Sequence, residues 1–204
     1  MSGDTTSDVN DLIERLRDGD DSARRALLER VVHRLHRIAA ATLRKEFPRL
    51  RTHHEIDSVV DEAWMRLMKA LESYHPESAN AFYSLMFHKV RQVLLDMARR
   101  QTRDDARSPQ ALPDLQESDD PARGDGADTT LDPAHLALWT EFHHQVEALP
   151  DDQRLVFEFH YYADLPQAEI ARLLGLHPKQ VSRLWVAATG QLGQWLRGIE
   201  NLRP

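Results

Sequence analysis

The stretch LPQAEIARLLGLHPKQVSRLWVAATGQL, residues 165–192, carries the clearest local signal in the chain. Ile170, Ala171, Leu173 and Leu174 recur at helical spacing and predict one buried stripe. Gly175 follows, where a helix ends and the backbone needs a positive φ. Pro178 comes three residues later, and its fixed φ suits a first helical position. Val181, Leu184, Trp185 and Ala188 then form a second stripe. Two short helices joined by a glycine-containing turn make a helix-turn-helix. Its second helix leaves Lys179, Gln180, Ser182 and Arg183 on the outer, N-terminal face. Such motifs place that face in a DNA major groove. The pattern alone leaves two readings open: groove reading, or two amphipathic helices that only pack.

Working outward, 204 residues are enough for one large or two small domains. Hydrophobic residues make up 41% and mean hydropathy is -0.57, which supports a core but not membrane insertion. No apolar run approaches the roughly 20 residues that span a bilayer, and Met1 to Asn10 lacks the apolar core of a signal peptide. There is no cysteine, so disulfides, thiolate zinc sites and cysteine nucleophiles are excluded. A cytoplasmic protein with no membrane partner is the expectation.

The net charge of -7 is unevenly spread. Residues 1–100 carry 17 basic and 16 acidic side chains, residues 101–137 carry 3 and 9, and residues 138–204 carry 6 and 8. The acidity sits in the middle, and the local field at a groove-facing helix governs phosphate attraction. Neither end is strongly basic, so the isolated chain is expected to bind DNA weakly.

In order along the chain, residues 1–8 are expected to fray, and Val9 to Leu16 reads as a helix. Asp18 to Ser22 forms a turn that can cap the next helix. That helix, Ala23 to about Arg44, buries Leu27, Leu28, Val31, Leu35, Ile38 and Ala39. Its other face carries Arg24, Arg25, Arg30, Arg34 and Arg37, which suits a solvated surface or an acidic partner. Phe47 and Pro48 break it. A third helix starts at Glu55 to Ser58 and runs to about Leu71, with Val60, Trp64, Leu67 and Met68 inward. A fourth, Ala81 to Arg100, turns Phe82, Leu85, Met86, Val90, Val93, Leu94 and Met97 inward. Lys89, Arg91, Arg99 and Arg100 lie near Tyr83 and Phe87, which suits stacking on unpaired bases or an ordinary aromatic core. Residues 101–137, rich in Pro, Gly, Asp and Ser, read as a flexible acidic linker. Leu136 to Ala148 and Asp151 to Tyr162 are the first helices of the second domain. The final helix is weakened at Gly190 and Gly193 on its way to Leu196.

Taken with Leu149, Pro150, Arg154 and Val156, residues 149–192 resemble the promoter-reading C-terminal domain of bacterial sigma factors. DSVVDEAWMRL (57–67) and FYSLMFHKVRQVLLDMARR (82–100) resemble the promoter-melting N-terminal domain of the sigma-70 family, in its small two-domain extracytoplasmic-function (ECF) group. The likeness is nearest to a planctomycete-like branch that also shows Pro178, Val181, Arg183 and Trp185 as they stand here. The resemblance implies an all-α fold with a region 2-like domain over residues 9–100, a linker over 101–137 and a region 4-like helix-turn-helix domain over 138–198. It implies core RNA polymerase and promoter DNA as partners, an anti-sigma factor as a candidate partner, and no catalysis by the chain itself.

By the same resemblance, Asp57, Asp61, Glu62 and Arg66 contact core polymerase, while Trp64 holds the core. Lys89, Arg91, Gln92, Arg99 and Arg100 read and melt the -10 element. Lys179, Gln180, Ser182 and Arg183 read the -35 element, and Arg172 anchors a phosphate. The linker runs toward the RNA exit path, as a nucleic-acid mimic or a plain acidic tether. Two departures stand out. Val60 replaces a glutamine common in the wider group, and Ser182, Val186 and Thr189 stand where basic residues are usual. Fewer phosphate contacts weaken binding and flatten its salt dependence.

Other chemistries find no residues. His33 with His36, His53-His54-Glu55 and His143-His144 lack zinc spacing, so no metal is expected. No nucleotide-binding glycine motif or nucleophile elbow occurs, so no cofactor is expected. Two further functions remain open: a dimeric helix-turn-helix regulator with an N-terminal helical sensor, and a sigma-like adaptor that binds only protein.

Overall fold

Apolar residues at three- and four-residue spacing dominate the chain, and helices are the elements that bury such stripes. The computed structural model describes residues 6–47, 50, 56–107 and 133–200, and its regular elements there are α-helices. They are α1 (Thr6–Arg17), α2 (Asp21–Glu46), α3 (Ile56–Ser73), α4 (Ala79–Arg107), α5 (Pro133–Glu147), α6 (Asp151–Tyr161), α7 (Gln167–Leu174) and α8 (Pro178–Glu200).

The first four helices make one group around α2. Leu27, Leu28, Val31, Leu35, Ile38 and Ala39 are buried, as their spacing predicts. Asp20 caps α2 by accepting from the Ser22 backbone N–H at 3.0 Å, and Arg15 pairs with the same carboxylate. These contacts, led by the Ser22 hydroxyl, hold Asp20 down to a pKa of about 2. The helix ends at Phe47, whose ring is buried against Trp139 of α5, centroids 4.6 Å apart.

The second group, α5 to α8, closes around aromatic rings. Trp185 stacks on Phe157 at 5.6 Å, and Val181, Ala188 and Leu192 are buried beside them. α8 continues through Gly190 and Gly193 to Glu200 in spite of the weakening expected there. Each glycine costs roughly 1 kcal/mol in a helix. Leu192 is buried and Trp195 packs against Phe142 on the same segment, which offsets that cost.

Two boundaries also move. α4 runs seven residues beyond Arg100, because Gln101 to Arg107 holds no glycine or proline to stop it. α5 begins at Pro133, a residue that suits a first helical turn. Helix therefore occupies both ends of the expected linker, while residues 108–132 lie outside those described. Pro48, His53, His54 and Glu55 also lie outside them.

Candidate nucleic-acid interface

The candidate surface is built at the α7–α8 turn. Gly175 takes φ 65°, and its N–H bonds back to Ala171 O, closing α7. A Cβ there would meet no neighbouring atom, so the demand for glycine comes from the backbone angle alone. His177 then caps α8, its Nδ1 accepting from the Lys179 backbone N–H at 3.2 Å. With Val181 and Ala188 buried and Trp185 held against Phe157 and His160, the opposite face points outward. Lys179, Gln180, Ser182 and Arg183 are all exposed on it, and Arg172 is exposed on α7. Val186 is exposed beside them, an apolar side chain on a polar face.

The acidic face of α3 divides in two. Asp57 and Asp61 are exposed, with Asp57 at 3.7 Å from His36 Nδ1. Glu62 and Asp96 both accept from Arg66, at 2.9 and 2.8 Å, tying α3 to α4. Burial lowers the Arg66 pKa, but the bonds to Asp96 and Glu62 outweigh it and leave it raised. Arg66 therefore serves the fold as well as the surface. Val60 is buried and Trp64 half-buried against the core.

The middle of α4, around Arg91, lies against the second helix group. Tyr83 and Phe87 are buried, and both rings meet Phe159 of α6, at 5.2 and 5.0 Å. They form an interior seam here, which answers the choice between stacking platform and aromatic core for this conformation. Arg91 is 5% exposed. Its Nη1 donates to Glu158 at 2.6 Å and its Nη2 to Glu147 at 3.2 Å, with Tyr162 packed beside it. Glu158 is fully buried. Burial pushes its carboxyl up against the pull of Arg91, and the guanidinium stays charged, because Glu158, Tyr162 and Glu147 outweigh the effect of its own burial. Lys89 bonds Gln92 at 3.2 Å. Gln92 and Arg99 line a cleft of about 260 Å³ facing Trp139, Thr140 and His144 of α5. Arg99 and Arg100 are exposed.

Sequence reasoning missed Glu158, Glu147 and Asp164, which hold this seam. A signal existed: Glu158 sits inside the apolar run Leu155-Val156-Phe157-Glu158-Phe159, where a lone charge needs a partner. Among the described residues no group of His, Cys, Asp or Glu is placed to hold a metal, and no helix is long and apolar enough to cross a membrane.

The described residues form helices only, and the outer face of α8 is left open to solvent. The sequence model of a family described as ECF sigma factor matches residues 6–198. This chain belongs to that family, whose members are non-catalytic initiation factors for RNA polymerase at promoter DNA. Comparison with curated proteins gives no match.

Proposed function

We propose that the chain binds core RNA polymerase, directs it to promoters through both helix groups and helps to open the duplex. The observation that carries this is the outward N-terminal face of α8. Lys179, Gln180, Ser182 and Arg183 stand exposed there, and none of their side chains pairs with another described residue. Arg183 bonds a guanine edge or a phosphate, Gln180 an adenine edge, and Arg172 a phosphate. The residues matching the -10 reader are Lys89, Arg91, Gln92, Arg99 and Arg100 on α4. The exposed carboxylates of Asp57 and Asp61 on α3 face the polymerase, with Glu62 and Arg66 beside them. Pro178, Val181, Arg183 and Trp185 together support placement in the planctomycete-like branch.

The sparse charge of α8 supports a further point: promoter affinity comes mainly from the complex with polymerase. Gel shift on a promoter fragment, with and without core enzyme, tests it. The expected result is a specific shift only with core enzyme present. Tight specific binding by the free chain, particularly as a dimer on a palindrome, would refute it.

A further inference from the structure

We infer that the free chain holds itself closed, with α6 seated on the face of α4 that reads the -10 element and Arg91–Glu158 as the central latch. The inference rests on the sigma reading for its meaning, but the closure has its own physical basis. Four sets of contacts among the described residues join the helix groups. At the centre Tyr83 and Phe87 pack on Phe159, beside the buried Arg91–Glu158 pair. On one rim Asp164 bonds both Arg44 and Lys45 of α2, and Glu169 lies 3.3 Å from Arg37. On the other, Glu147 takes His88 at 2.7 Å and Arg91 at 3.2 Å. Trp139 and Tyr161 both donate to Glu46. Charge is complementary along the α2 and Arg91 contacts: the N-terminal group supplies Arg37, Arg44, Lys45 and Arg91, and the C-terminal group supplies Glu169, Asp164, Glu158 and Glu147.

Closure and promoter reading exclude each other. Elements centred near -10 and -35 lie about 25 base pairs apart, or roughly 85 Å at 3.4 Å per pair. In the closed chain α7 touches α2 through Glu169 and Arg37, so the two readers cannot be that far apart. Arg91 is sealed under α6, and bases cannot reach Tyr83 or Phe87. A tether of the length of residues 108–132 spans at most about 85 Å when extended, so opening is sterically affordable.

The latch is also built to release. Arg91 Nε and Glu158 Oε2 are buried with no hydrogen-bond partner. A buried ion pair with unsatisfied atoms recovers hydration when it separates, so it is marginal where a fully bonded one would be fixed. Asp164 holds the turn before α7 at φ 51°, a left-handed value that Asp tolerates, and it presents its carboxylate to two cations of the other group.

The chain has no cysteine, so paired cysteines can be placed at will. Energy transfer between dyes at Glu72→Cys and Gln191→Cys, exposed sites on the two groups, reports their separation. High transfer is expected in the free chain. It should fall in Glu158→Gln, in the rim variant Asp164→Asn, which keeps the turn, and on addition of core polymerase with promoter DNA. Low transfer in the free chain, unchanged by either variant, overturns the closure. His88→Cys with Glu147→Cys, joined by a reducible bis-maleimide, then locks it. Run-off transcription should drop at least tenfold when locked and return on reduction. Equal transcription in both states removes the inhibitory role. If neither state nor the parent chain starts RNA, the sigma reading fails instead, while the transfer measurement still decides closure.

Discussion

Replacing Glu158 with leucine removes the carboxylate from a site with no solvent access and leaves the Arg91 guanidinium behind. Breaking a buried ion pair from one side costs the closed state about 3–5 kcal/mol, because the remaining charge cannot be hydrated until the helix groups part. Arg91 retains the half-exposed Glu147 at 3.2 Å, which places Glu158→Leu at the lower end, about 3 kcal/mol. Arg91→Met is milder, about 2 kcal/mol, since a carboxyl already pushed up by burial can take a proton and a guanidinium cannot lose one. The double variant Arg91→Met/Glu158→Leu puts two apolar side chains where Phe87, Phe159 and Tyr162 already pack. It should lie within about 1 kcal/mol of the parent, so the two sites couple by at least about 4 kcal/mol. Urea unfolding at pH 7, followed by tryptophan fluorescence, measures all four proteins. Losses that add to within about 0.5 kcal/mol would refute a buried pair between the helix groups.

Arg183→Ala should weaken promoter binding of the polymerase complex by about 1–3 kcal/mol, and Lys179→Ala should lower the salt slope by about 1, both read by titration at several salt concentrations. His143 is buried on Tyr162, and burial with the nearby Arg91 depresses its pKa from 6.5 to about 2. The folded chain then binds fewer protons than the unfolded chain below pH 6.5, so this contribution is full above that pH and lost as pH falls. Between pH 7.5 and 5.5 the loss is about 1.4 kcal/mol, and His143→Gln should abolish it in the same urea assay. Gly175→Ala forces a Cβ onto φ 65° and should cost about 1–2 kcal/mol, with Gly175→Asn milder, read by thermal unfolding.

The elements that depend on neighbours in sequence were legible in it. The stripes of α2, α4, α7 and α8 turn inward the residues that their spacing names, with Leu85, Leu174, Leu184 and Trp185 half-buried against the core and the rest buried, and Gly175 takes the conformation that its place demands. Where the period carried no information, the reading stopped short. Gln101 to Arg107 has no apolar stripe, so nothing in the pattern extended α4 through it. Phe87, Arg91 and Leu94 share one face of α4, a hint that Arg91 lies in an apolar stripe and not on a solvated one. Its partner Glu158 stands 67 residues away, and no local rule connects them. The candidate site was legible in the same measure. The outer face of α8 follows from where Val181, Trp185 and Ala188 point. The covering of the α4 face depends on contacts between groups, which periodicity does not encode.

The central claim is that this chain gives core polymerase its choice of start sites. Core enzyme, purified chain and genomic DNA fragments, with the 5′ ends of the RNA mapped, test it most directly. The account predicts discrete start sites preceded by two shared sequence elements, lost with Lys179→Ala/Arg183→Ala. RNA no different in amount or start position from that made by core enzyme alone would contradict it.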